Sequence, residues 1–163
     1  MSQVPPFAAT ARHRLADLGW LDDPRAIEPL NIVWSGPDPE SSIDRLLDYA
    51  EAAGPELNPL SDPVAARRIA HLVGLSRQLS LQLTRHPDWL YGADPTDLVG
   101  VVRSTLAQVA ADDAAGAITL AEGGHRLSAM ADAVVGQILA EETTEDVPAL
   151  AVVAMGKWGG QEL

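Results

Sequence analysis

Residues 41–55 read SSIDRLLDYAEAAGP, and the architecture expected of the chain follows from how this stretch is read. Ile43, Leu46, Leu47 and Ala50 recur at the three-and-four spacing of one helix face, with charged residues between them. Ser41 or Ser42 can cap the start, and Gly54-Pro55 ends the helix.

The same grammar repeats outward. Asp62 precedes Pro63, which suits a first helical position, and Ile69, Leu72 and Val73 supply the buried face of the helix that follows. Gly74 is expected to close it and Ser76 to cap the next, which buries Leu79 and Leu83 and stops at His86-Pro87. Leu98, Val101, Val102, Thr105 and Val109 mark another helix, and the segment AADDAAGA after it is expected to be a loop. Leu127, Met130, Ala131, Val134 and Ile138 mark the last. Upstream, Phe7, Ala11, Leu15 and Leu18 predict a short first helix ended by Gly19. Residues 20–40, with Pro24, Pro29, Pro37 and Pro39, read as a loop or an extended arm. Aromatic residues are only 4% of the chain, so helix packed on helix is favoured over a β-sandwich.

Charge and composition exclude several function classes. The formal net charge of −12 repels the phosphate backbone, so direct nucleic-acid binding is not expected. There is no cysteine, hence no disulfide and no zinc-thiolate site. His13 and His125 have no partner at metal-ligand spacing, and His71 and His86 read as structural residues of helices. Trp89 reads as a core or interface anchor. No secretory signal or membrane-spanning run is evident, and the chain is read as soluble and cytoplasmic.

After the acidic linker EETTEDVP the pattern changes. Residues 149–154, ALAVVA, have the length and composition of a strand buried on both faces, which needs partner strands to satisfy its backbone. In the 163-residue chain that strand is expected to be unpaired and to fray. The glycine-rich turn that follows, Gly156 to Gly160, could converge N–H groups on an anion while Lys157 adds a point charge. An ordinary strand exit is the alternative, since neither the Walker A pattern nor GxGxxG is present.

The stretch AVVAMGKWGGQEL, residues 151–163, resembles the strand-turn-helix motif of the glutamine synthetase adenylyltransferase family, roughly hhhhGKhGGxEL (h, apolar) ahead of a Ser-Asp-h-Asp segment. Gly156, Lys157, Gly159, Gly160, Glu162 and Leu163 match the motif, and Trp158 departs from it. Gly74, Ser76, Leu83, His86 and Pro87 resemble a helical pattern of the same family, as does the opening ARHRLADLGW.

The resemblance implies a mostly α chain: a helical bundle-like region, then the first strand and glycine-rich turn of an incomplete polymerase-β-like nucleotidyltransferase domain. Its expected parts are an N-terminal helix and proline-rich arm (1–40), a helical region (41–142), a linker (143–148) and the start of the nucleotidyltransferase domain (149–163). It implies an enzyme that transfers AMP to a tyrosine of glutamine synthetase and removes it by phosphorolysis, using Mg²⁺ and ATP or ADP. Gly156, Lys157, Gly159 and Gly160 would hold nucleotide phosphates.

The sequence contains no Ser-Asp-h-Asp. The adjacent pairs Asp22-Asp23 and Asp112-Asp113 do not replace two ligands projecting from one face of a strand. The chain is thus expected to be a truncated N-terminal part that is inactive alone, with no catalytic or metal-binding residue of its own. A non-catalytic helical interaction module and the beginning of an unrelated nucleotide-binding domain are the other readings.

Overall fold

The computed structural model describes residues 4–142, 152–153 and 160. Within them the chain forms seven α-helices and three 3₁₀ turns, with no strand. α1, Ala9–Asp17, buries Ala11 and Leu15. It ends in a Schellman arrangement: Gly19 takes φ +71°, its N–H reaches the Ala16 carbonyl at 2.9 Å, and the Trp20 N–H reaches Leu15 at 2.8 Å.

The expected arm at residues 20–40 is instead largely helical. Asp23 accepts from the Arg25 N–H at 2.9 Å and opens a 3₁₀ turn, Pro24–Ala26, which runs into α2, Ile27–Trp34. Pro29 does not break α2 because it occupies the first turn, where a backbone N–H has no partner inside the helix. Leu30 and Val33 then bury one side of α2, so tertiary burial outweighs the local proline signal.

α3, Pro39–Ala53, starts earlier than its serines suggested. Asp38 is the cap, accepting from the Ser41 N–H at 3.3 Å, while Ser42 is buried within the helix and accepts from Arg45 at 3.1 Å. Gly54, at φ +63°, ends the helix as expected.

After a 3₁₀ turn, Pro59–Ser61, comes α4, Pro63–Leu75, capped by Asp62 accepting from the Val64 N–H at 2.8 Å. The helix passes through Gly74 instead of closing there. Arg45 Nε donates to the Val73 carbonyl at 2.7 Å, so a side chain of α3 satisfies one of the carbonyls left over at the end of α4. Ser76 caps α5, Arg77–Arg85, which His86-Pro87 stops.

A 3₁₀ turn, Pro87–Leu90, then drives Trp89 and Leu90 into the core. The His86 ring stacks on Trp89 with centroids 4.1 Å apart, and the buried Tyr49 hydroxyl donates to the Pro87 carbonyl at 3.2 Å. Trp89 is therefore an anchor in the core, one of the two roles its position predicted, with the exposed His86 ring stacked on it.

α6, Leu98–Ala114, is capped by Asp97, which accepts from the Gly100 N–H at 2.9 Å. Of the segment expected to be a loop, AADDAAGA (residues 110–117), the first five residues form the end of this helix and only 115–117 leave it. The reason is visible in the stripe Gly100, Ser104, Ala107 and Ala111: small residues at helical spacing pack closely on the core and carry the helix through the acidic pair.

α7, Leu120–Glu142, likewise begins seven residues ahead of Leu127. A reciprocal capping box starts it: the Glu122 carboxylate accepts from the Thr119 N–H at 2.7 Å, and Thr119 Oγ1 accepts from the Glu122 N–H at 3.2 Å.

The core is organised around α4, against which α2, α3, α5 and α6 pack; α7 lies chiefly on α6. Leu15, Leu30, Ile43, Leu46, Leu47, Ile69, Leu72 and Leu83 are essentially inaccessible to solvent. Of the expected strand at 149–154, Val152 and Val153 are described; both are exposed and neither is in a strand. The rest of that segment lies outside the described residues.

Candidate functional site

Of the four residues expected to hold phosphate, Gly160 is described, exposed and in a turn. Gly156, Lys157 and Gly159 lie outside the described residues.

Within the helical body, polar chemistry concentrates where α2, α4, α6 and α7 meet. Arg68, on α4, is bidentate to Asp112 of α6, with Nε and Nη2 each 2.8 Å from a carboxylate oxygen. Arg126 of α7 donates to Asp112 Oδ2, also at 2.8 Å. Asp112 is only 7% exposed, and its two arginines, Arg68 foremost, hold its carboxyl below the ordinary range. One buried carboxylate thus ties three helices together.

Two adjoining clefts open beside this triad. The larger, about 760 Å³, runs along α2, and the other, about 510 Å³, lies between α2, α4 and the end of α6. Glu28, Ile32 and His71 line both. Arg67 Nε donates to Glu28 at 2.8 Å across the seam.

Burial pushes the His71 pKa down from its ordinary 6.5, and the nearby Arg67 charge adds to the effect. The imidazole is therefore neutral at pH 7. We expect the His71 ring to titrate with a midpoint below 6.5 by NMR; a midpoint at or above 6.5 would refute its burial against Arg67. Between 6.5 and that midpoint acidification costs stability, because the unfolded chain takes up a proton that the folded one refuses.

On the far side of α3, Arg14 donates to Asp48 at 2.8 Å and to Glu51 at 2.7 Å, anchoring α1 and holding the Glu51 carboxyl below its ordinary value. Among the described residues, no group of three or more His, Asp or Glu is placed to hold a metal ion. Asp22-Asp23 and Asp112-Asp113 do not form such a site: Asp23 is engaged by Arg25, and Asp112 by Arg68 and Arg126.

Sequence reading placed Asp112 in a loop and did not single out Arg68 or Arg126. The helical continuation of the small-residue stripe through Ala111 was the available signal for Asp112. Nothing local foretells a pairing between residues 44 positions apart.

These features define a protein that is mostly helical in its described residues, with one buried carboxylate, Asp112, committed to an internal ion-pair triad. Its relatives are more specific. The chain is 31% identical over 182 aligned residues to the bifunctional glutamine synthetase adenylyltransferase/adenylyl-removing enzyme of Aromatoleum aromaticum, an alignment that takes in 86% of this chain and 19% of that protein. It is 29% identical over 175 residues to the protein of the same name in Cutibacterium acnes, covering 85% of this chain and 18% of that one.

The similarity to the glutamine synthetase adenylyltransferase family thus extends along most of the chain, beyond the terminal motif that first suggested it. The chain spans about a fifth of the length of these curated relatives. No family model matches it, and no solved structure does. No helix among the described residues is long and apolar enough to cross a membrane.

Proposed function

We propose that this chain supplies the helical region and phosphate-binding turn of a protein of the glutamine synthetase adenylyltransferase type, acting in the cytoplasm on glutamine synthetase. The supporting observation is the joint occurrence of the GKWGG sequence at residues 156–160 and two relatives of that name matched along most of the chain. In this reading the N–H groups around Gly156, Gly159 and Gly160, together with the Lys157 ammonium, hold the phosphates of ATP or ADP. AMP is added to a tyrosine of glutamine synthetase or removed from it by phosphorolysis.

Mg²⁺, which serves the complete family enzyme, finds no suitable donor set among the described residues. Asp112 is engaged by two arginines, and Asp48 and Glu51 by Arg14, so we assign no step through a metal.

The 163-residue polypeptide, which contains no Ser-Asp-h-Asp, is expected to be inactive. Incubated with adenylylated glutamine synthetase and phosphate, it should release no ADP above background; phosphate-dependent ADP release would overturn this. The partner assignment has its own test. Calorimetric titration into glutamine synthetase at ~100 μM should register association, whereas the absence of a signal at that concentration would count against the assignment.

A second reading, a helical interaction module without catalysis, is favoured by the incomplete burial of α7.

A further inference from the structure

Three clefts meet at His71: the two beside the Asp112 triad and a smaller one, about 200 Å³, lined in part by Gly74 and Leu75. The imidazole is neutral at pH 7, and neither ring nitrogen has a hydrogen-bond partner among the described residues. It therefore brings one open N–H donor and one open acceptor to the junction.

The arginines beside it are also only partly used. Arg67 commits Nε to Glu28, and Arg68 commits Nε and Nη2 to Asp112. A guanidinium carries five N–H donors, so both Nη groups of Arg67 and Nη1 of Arg68 stay open among the described residues. Arg67, Arg68 and His71 all line the cleft of about 510 Å³, with Ile32 and Val64 as apolar walls. Charge agrees with the donor count. Arg67, Arg68 and Arg126 share two carboxylates, Glu28 and Asp112, which leaves one positive charge in excess on a chain whose total is −12. Glu122 also feels Arg126, but its carboxylate is held at the Thr119 cap.

We infer that this cleft binds a small organic oxyanion, a carboxylate or phosphate group on a short carbon body. Its oxygens accept from the open Nη groups of Arg67 and Arg68 and from the His71 N–H, while its carbon body lies against Ile32 and Val64. Open donors outnumber open acceptors, and the excess charge is positive, so a cation or a purely apolar molecule is a poorer fit. The volume suits a small ligand, whose pockets span about 300–1,000 Å³. The Arg67–Glu28 pair is no obstacle: both side chains are 56% exposed, and a surface pair of that kind is weakly held.

The test is an NMR titration of the 163-residue chain at pH 7 with butyrate and, separately, with propyl phosphate, each replacing sodium chloride at constant ionic strength. The His71 Hε1 resonance should shift saturably, with half-saturation at about 1 mM for at least one of the two, while those of His13, His86 and His125 stay in place. Which of the two anions binds distinguishes a carboxylate ligand from a phosphate one. Arg67→Gln should weaken binding at least about tenfold, because it removes a charged donor. Glu28→Gln, which frees Arg67 from its competing carboxylate, should tighten it about threefold. Both replaced side chains are largely solvent-facing, and unchanged far-ultraviolet circular dichroism will confirm that the fold is kept. The inference is overturned if neither anion gives a saturable shift up to about 50 mM, or if all four histidines move together. Variants that fail to change the affinity in opposite directions overturn it as well.

Discussion

Truncating Leu72 to alanine is expected to lower the unfolding free energy by about 4 kcal/mol. Leu72 is wholly inaccessible to solvent and sits on α4, the helix against which α2, α3, α5 and α6 pack. The loss combines the transfer free energy of the deleted methyl and methylene groups with that of the cavity left in a core that closes in only partly. In a chain of this size it should lower the melting temperature by roughly 10 °C, measurable by circular dichroism. Leu72→Met, which keeps the volume, should cost less than about 1.5 kcal/mol. A loss for Leu72→Ala below about 1 kcal/mol would mean that α4 is not the centre of the fold.

Asp112→Ala is expected to cost about 3 kcal/mol, because it leaves the partly buried Arg68 guanidinium without its bidentate partner. The three members of the triad are not equivalent. Arg68→Ala leaves Asp112 with a single arginine and should cost about 2 kcal/mol, whereas Arg126, whose side chain is 48% exposed, should cost less than about 1 kcal/mol on removal. Equal losses for the two arginine variants in urea denaturation would contradict that ranking.

The pH dependence has a definite sign. The folded-state pKa of Asp112 lies below its ordinary 3.8, so the stability it contributes is fully present above that value and lost as the pH falls through the folded one. The gap between wild type and Asp112→Ala should therefore be complete at pH 7 and shrink below about pH 3.8.

Much of the fold was legible because its signals are local. The stripe around Leu46, the Asp62-Pro63 and Ser76 caps, the Gly19 and Gly54 stops and the His86-Pro87 break each act within one or two turns of the chain. Thr119 and Glu122 carried an equally local start signal for α7, which the stripe beginning at Leu127 overshadowed. The proline-rich stretch misled for a different reason. Proline disrupts a helix interior but not a first turn, and which of the two holds Pro29 depends on where α2 begins. That start is set by burial of Leu30 and Val33 against α3 and α4.

By itself, then, the sequence determined a mostly helical chain, the Asp62 and Ser76 caps, the Gly19, Gly54 and His86-Pro87 stops, and a GKWGG motif that pointed to a family whose members match most of the chain. Only the tertiary structure decided that Asp112 ties three helices together, that His71 faces a cleft beside Glu28 and Arg67, and that the stripe of α7 is left half-covered. The division has a physical cause. Caps and periodicity are interactions between residues a few positions apart, whereas an ion pair between residues 68 and 112, or the exposure of a helix face, exists only once distant segments have been brought together.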